Sequence, residues 1–286
     1  VPELPEVQAL ADALDRQLVG RRIEGCELAS IAALKTFDPP LDDLVGRVVI
    51  QVERRGKFVC LDADGLWLIV HLARGGWIRW YDEVPAGRVR PNKSPQALRV
   101  RMEGGAGFDV TEMGTEKRVA LWVAHTPHDV EAVSALGIDP LDAVFTTETL
   151  GTLLGGVSAT LKTALTTQSL IAGVGNAYSD EALHRAKLSP YKKTTSLTPG
   201  EVDRLHAALV GILTEAVGRS ADLGLDALKG DKKRTMQVHG RTGQPCPVCG
   251  DTVRQVSFAT KSLQYCPTCQ TGGKVLADRR LSRLLK

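Results

Sequence analysis

Four of the six cysteines stand as Cys246-Pro-Val-Cys249 and Cys266-Pro-Thr-Cys269, with sixteen residues between the pairs. Each Cys-x-x-Cys is a tight turn that aims two sulfurs at one metal, and the C-x2-C-x16-C-x2-C spacing is that of a four-thiolate zinc site. A closed four-sulfur shell leaves no open coordination position. The expected cofactor is therefore one structural Zn2+ held by Cys246, Cys249, Cys266 and Cys269. The competing chemistry, a pair of disulfides, belongs to oxidising compartments. The opening Val-Pro-Glu-Leu-Pro-Glu is acidic where a secretory leader is basic, so an intracellular protein, cytoplasmic or nucleoid-associated, with reduced thiols is expected. Cys26 and Cys60 lie in apolar strand-like segments and read as buried core thiols.

Two further places could carry chemistry. A free N-terminal amine has a pKa of ~7.7–8.0 against ~10.4 for lysine, so a usable fraction is unprotonated at neutral pH. An N-terminal proline is a secondary amine that can attack a sugar C1′ and form an iminium. Pro2 has that character only without Val1, because the attached valine makes the proline nitrogen an amide. The plain alternative makes Pro2 and Pro5 helix-start residues, a position that suits proline. In Gly173-Val174-Gly175-Asn176 the glycines permit a tight turn, and Asn176 is the expected N-cap of a helix from Ala177. Such a helix start is an anion site, for a phosphate for example, or else an ordinary capped turn.

The elements that must position these groups follow from periodicity. Val7, Leu10, Ala11, Leu14 and Leu18 keep helical spacing until Gly20, which predicts an amphipathic opening helix. From Arg22 to about Val123, short β-branched and aromatic runs alternate with glycine turns: Val48–Val52, Phe58–Leu61, Trp67–His71, Trp77–Tyr81, Leu98–Met102 and Arg118–Val123. They predict a β-sandwich or barrel. Helical periods return over Asp129–Leu136, Thr146–Leu154, Leu161–Leu170, Ala177–Lys187 and Pro199–Arg219. Asp222–Met236, polar and glycine-bearing, is expected as a mobile loop before a hairpin over Thr252–Tyr265 that closes the zinc site. The class is α+β and multidomain, with a β-rich domain over 1–125, a helical domain over 126–235 and a zinc-bound β-hairpin over 236–286.

At 286 residues, 43% hydrophobic and 24% charged, the chain has the length and composition of a folded protein, which excludes wholesale disorder. The net charge of +3 is unevenly placed. Residues 229–286 hold 12 of the 36 Lys+Arg but 3 of the 33 Asp+Glu, so that segment carries +9 and the rest −6. A basic C-terminal fifth points to polyanions as partners, although a charge run is also how a solvated face reads.

Pro2-Glu3-Leu4-Pro5-Glu6-Val7, Lys57 within Arg54-Arg55-Gly56-Lys57, Gly173–Glu181 and the cysteine hairpin occur in this order. Together they resemble the formamidopyrimidine-DNA glycosylase / endonuclease VIII family, repair enzymes that excise oxidised bases, and the opening motif is closer to the formamidopyrimidine branch. The resemblance spans essentially the whole chain; Leu136-Gly137 with Asp139-Pro140-Leu141 fits the family's interdomain segment. It implies an N-terminal helix plus β-sandwich, a helix–two-turn–helix domain and a zinc-finger hairpin. It also implies a glycosylase with abasic-site lyase activity: Pro2 as nucleophile, Glu3 as general acid/base at the sugar, Lys57 as proton donor near the leaving phosphate, and Glu6 as a supporting carboxylate. Base loss and strand cleavage then run by β- and δ-elimination. Lys162 and Asn176 match phosphate-contacting positions. The implied partner is double-stranded DNA with a damaged base or abasic site, its nucleotide flipped into a cleft between the β-rich and helical domains. No membrane partner is expected, and the protein is expected to act as a monomer.

The sequence departs from the family where three side chains fill the gap left by the extruded nucleotide. Arg74, in His71-Leu72-Ala73-Arg74-Gly75, replaces a methionine, and Glu112 and Met113 replace an arginine and a phenylalanine. Met113 keeps an apolar wedge. Glu112 can only accept hydrogen bonds, which implies an altered opposite-base preference. Lys261 replaces the zinc-hairpin arginine, keeping charge but losing bidentate geometry. These departures leave a catalytically silent binder of damaged or abasic DNA as the alternative function. A zinc-ribbon adaptor leaves the Pro2-Glu3 and Lys57 matches unexplained.

Overall fold

The computed structural model describes residues 2–87, 89, 95–221, 223, 228–258 and 261–277. Val1, the Arg279–Lys286 basic tail and the side chain of Lys261 lie outside the described residues. The chain divides into two compact units, Val1–Leu136 with Val217–Leu228, and Gly137–Ala216 with Lys229–Lys286.

The first unit opens with helix α1 (Leu4–Leu18), with Glu3 as N-cap and a proline in the first turn. Its apolar stripe, Val7, Leu10, Ala11, Leu14 and Leu18, is buried as the spacing predicts, and Gly20, at φ +82°, follows its end. Eight strands then form two antiparallel sheets: β1 (Ile23–Leu28), β2 (Val49–Arg55), β3 (Phe58–Ala63), β4 (Leu66–His71), β5 (Gly76–Tyr81), β6 (Gln96–Met102), β7 (Gly107–Glu112) and β8 (Ala120–Ala124). One sheet has the order β1-β6-β7-β5, the other β2-β3-β4-β8. Val59, Leu61, Leu68 and Val70 share one core with Ile78, Leu98, Phe108, Val110 and the α1 stripe. The alternate residues Phe58, Cys60 and Ile69 pack on Val130 and Val133 around the short helix α2 (Glu131–Ser134). The β3 and β4 strands are thus buried on both faces, which is why they read as continuous apolar runs.

Strand β7 goes beyond the sequence expectation. Its approach, Gly104-Gly105-Ala106-Gly107, reads as a turn. Gly107 belongs to the sheet because a Cβ there would lie 2.2 Å from the Val100 carbonyl. Cys60 is fully buried and Cys26 partly so, and burial is the main cause that pushes both thiols up to about 12.

The second unit contains α3 (Thr147–Gly155), α4 (Leu161–Thr166), α5 (Asn176–Arg185), α6 (Pro199–Ala221) up to Ala216, α7 (Leu228–Thr235) from Lys229, the hairpin β9 (Arg254–Phe258) with β10 (Lys261–Tyr265), and α8 (Pro267–Thr271). The α4 helix ends four residues before the expected Leu170. Past Thr166 the side chain of Gln168 organises the chain, donating to the carbonyls of Thr166 (3.1 Å) and Val174 (2.7 Å) and accepting from Gly173 N–H (3.0 Å). The expected loop over Asp222–Met236 is corrected at Leu228–Thr235, which is helical. Lys232, Lys233 and Arg234 occupy its last turn, where cations complement the helix dipole. Met236 and Val238 follow as buried anchors. No helix among the described residues is long and apolar enough to cross a membrane.

Candidate functional site

In the first unit the chain start is locked by two carboxylates. Glu3 N–H donates to Glu6 Oε2 at 2.8 Å, and the Glu3 side chain accepts the Glu6 N–H in return, a reciprocal capping box. Pro2, Glu3 and Glu6 are all buried. Helix α1 is tied to β2 by Val52 N–H donating to Asp15 Oδ1 (2.7 Å) and by Arg54 Nε donating to Gln8 Oε1 (2.8 Å). Progress toward the N-terminus of α1 is therefore progress toward the β2–β3 turn. Arg54 also donates to the carbonyl of Gly56 in that turn (3.1 Å), which fixes the base of Lys57. Pro2, Glu3 and Lys57 thus lie toward the same end of the α1–β2 pair.

His71, at the end of β4, pairs with Phe58, and the two rings pack at 4.8 Å between centroids. Burial, and secondarily the Lys57 charge, lower its pKa to about 4. No local pattern singles out His71 for a role; its proximity to Lys57 arises only through strand register. The next residues carry Arg74 out to solvent, after a left-handed Ala73 (φ +50°). Met113 N–H donates to the Gly75 carbonyl at 3.1 Å, and a Cβ on Gly75 would lie 2.3 Å from the Met113 carbonyl. Arg74 and Met113 are therefore brought side by side, Met113 with 65% of its surface exposed.

Glu112, next to Met113 in sequence, faces inward. It is buried, and its Oε1 accepts from Arg118 N–H (2.6 Å) and Val119 N–H (3.0 Å). The carboxylate thereby closes the loop after β7.

In the second unit Lys162 and Asn176 lie at the start of α5. The Lys162 ammonium is buried and donates to Asn176 O (2.7 Å), Ser179 Oγ (2.8 Å) and Asp180 Oδ1 (2.5 Å). Three donors on three internal acceptors make it a brace beneath the start of α5. Asn176 is the first helical residue, with Gly175 as the N-cap, and its Nδ2 donates to the Ser262 carbonyl on β10 (2.7 Å). It joins the zinc hairpin to α5. Asp180 Oδ2 accepts from His239 Nδ1 (2.7 Å) and Gln264 N–H (3.2 Å). Glu181 accepts from the N–H groups of Gln237, Val238 and His239 at 2.8–2.9 Å. Burial pushes the Glu181 carboxyl above its usual range, against those three donors.

The four hairpin thiols converge. Sγ of Cys246 and Cys269 are 3.9 Å apart, and Sγ of Cys249 and Cys266 are 3.3 Å apart. Two thiolates on a tetrahedral zinc, at Zn–S of ~2.3 Å, sit ~3.8 Å apart, so the donor set fits zinc in chemistry and spacing. Burial, the leading cause, pushes the Cys266 thiol up to about 11 and raises Cys269 as well; a divalent cation at the centre reverses that preference by stabilising thiolate. His184 on α5, 62 residues before Cys246, brings its Nε2 to 3.3 Å from Sγ of Cys246. No cysteine spacing announces it.

A helix-capped β-sandwich, a helix–two-turn–helix unit and a four-cysteine hairpin together define the Fpg-like fold class. The chain belongs to the formamidopyrimidine-DNA glycosylase family. It matches the family's N-terminal domain over residues 1–117, its H2TH domain over 136–224, and the zinc finger found in FPG and IleRS over 243–272. It is 31% identical over 280 residues to the formamidopyrimidine-DNA glycosylase of Pelotomaculum thermopropionicum, covering 94% of this chain and 99% of that one. It is 57% identical over 152 residues to an uncharacterized formamidopyrimidine-DNA glycosylase-like protein of Mycobacterium tuberculosis, covering 53% of this chain and 95% of that one. The Lactococcus lactis enzyme, non-covalently bound to DNA containing an AP site, superposes with a TM-score of 0.81 at 26% identity, covering 94% and 99% of the two chains. The Thermus thermophilus MutM (Fpg) protein gives 0.80 at 29% identity, covering 96% and 100%.

The buried histidine and the loop anchor each have a measurable consequence. Because His71 takes up a proton near pH 6.5 when unfolded but near 4 when folded, its contribution to stability is complete above pH 6.5. It is lost as pH falls toward 4, with a slope of up to ~1.4 kcal/mol per pH unit. Urea titrations across that range should show a flatter profile for His71→Gln. Glu112→Ala leaves two backbone N–H groups without their acceptor and should cost about 1–3 kcal/mol. Glu112→Gln, which keeps a carbonyl oxygen there, should cost clearly less in the same denaturation assay.

Proposed function

We propose that this protein is a base-excision-repair DNA glycosylase with AP lyase activity. Pro2, freed of Val1, attacks C1′ of a damaged nucleotide; the C1′–N bond breaks and its electrons leave with the base, which is protonated. The proline nitrogen loses its proton, the C1′–O4′ bond breaks and O4′ takes up a proton, which opens the sugar to an iminium; this acidifies the C2′ proton, and loss of that proton expels the 3′ phosphate, with δ-elimination following. Glu3 moves protons at the sugar, Lys57 acts near the leaving phosphate, and Glu6 holds Glu3 in place. The observation that carries this reading is the capping box that locks Pro2-Glu3 at the end of the frame that also bears the Lys57 turn. Family membership and the DNA named with the Lactococcus lactis relative support it.

Extruding a nucleotide costs a few kcal/mol, least at damaged or mispaired bases. In this reading Met113 enters the vacated stack as the apolar wedge with Arg74 beside it. Asn176 and Lys162 organise the helix start that faces phosphate, and Lys261 adds hairpin charge. Cys246, Cys249, Cys266 and Cys269 hold one structural zinc ion, whose role is to fold the hairpin.

Borohydride treatment of protein on abasic-site duplex should trap a covalent adduct mapping to Pro2 when mass spectrometry shows Val1 absent. Protein retaining Val1 should give none. Absence of an adduct from the Val1-free protein would instead identify a silent binder of abasic DNA. If the basic segment grips phosphate, log affinity should fall steeply with log salt, and Lys261→Ala should shallow that slope by roughly one unit.

A further inference from the structure

Five donors surround the metal position. Nε2 of His184 and Sγ of Cys246, Cys266 and Cys269 all lie within 4.8 Å of one another. Cys249 is exposed, 3.3 Å from Sγ of Cys266, and interacts with Cys246 and Cys269 as well. His184 reaches the same thiols from the buried face of α5. A four-donor set can therefore be completed on these three sulfurs either by Cys249 or by His184. Zinc accepts shells of four thiolates and shells of three thiolates with one imidazole, and its bond lengths put an imidazole nitrogen and a thiolate ~3.6 Å apart. The observed 3.3 Å separation from Cys246 needs only a small adjustment.

We infer that His184 is a reserve zinc ligand that replaces Cys249 when that exposed thiolate is lost. With four thiolates bound, His184 Nε2–H donates to the Cys246 sulfur. When an alkylating electrophile attacks Cys249, a sulfur–carbon bond forms and the halide or other leaving group departs with its electron pair. The thioether dissociates from zinc, and the Nε2 lone pair takes the vacant position while its proton passes to Nδ1. The ligand remains neutral imidazole, and the hairpin keeps its metal. The proposal goes beyond the glycosylase reading and does not depend on it, since its test uses no DNA.

The test uses the full-length zinc-loaded protein. Cys249→Ala should retain stoichiometric zinc, and its Co2+ form should show a charge-transfer spectrum changed toward three sulfurs and one nitrogen. Cys249→Ala combined with His184→Phe should lose the metal. The inference is overturned if Cys249→Ala loses zinc as completely as Cys266→Ala, or if the double variant holds zinc as well as the single one. A second measurement starts from folded protein: after iodoacetamide treatment, zinc release to a chromophoric chelator should be at least ~10-fold faster in His184→Phe than in wild type. Equal rates would overturn the proposal.

Discussion

Buried carboxylates that accept backbone N–H groups hold this protein's working parts in place. A carboxylate taken from water is costly unless its oxygens are satisfied, and satisfied by main chain it fixes the segment that satisfies it. Glu6 does this to the chain start, Glu112 to the loop after β7, and Glu181 to residues Gln237–His239. Asp180 adds Gln264 of the zinc hairpin while balancing the buried Lys162 charge. In each case the anchored segment carries or adjoins a candidate functional residue: Pro2 and Glu3, Met113, or the hairpin of Lys261. The anchored segments are turns and the chain start, and these polar anchors help to set their geometry.

The same logic accounts for the inward side chains of Glu112 and Lys162. Glu112 is the acceptor that closes its loop. Lys162 commits its donors beneath α5 and thereby shapes the helix start. Helix α5 then links three parts of its unit: the two-turn segment through Lys162, the hairpin through Asn176, and the thiol cluster through His184.

How much was legible beforehand depended on the range of the interaction. The α1 stripe and the cysteine turns are local patterns, and the structure follows them residue by residue. The β7 strand was hidden by its glycines, which read as a turn until Arg101 is placed opposite Gly107. The α7 helix was hidden by polar residues and an internal glycine of weak helix propensity. The cap of α5 was read one position late, at Asn176 instead of Gly175. The Asn176 side chain does not cap its own helix because its partner, Ser262, is 86 residues away.

The change from strand to helical periods, the soft four-thiol donor set, the amphipathic opening helix and the basic C-terminal segment were all fixed along the chain, because each is a matter of spacing or composition among near neighbours. Which way the polar side chains turn was settled only on folding. Glu112 and Lys162 face inward, Met113 and Arg74 face outward, and His184 joins the metal site. Those choices depend on hydrogen-bond partners distant in sequence and on the cost of leaving a buried donor or acceptor unmatched, a quantity that exists only once the chain has folded.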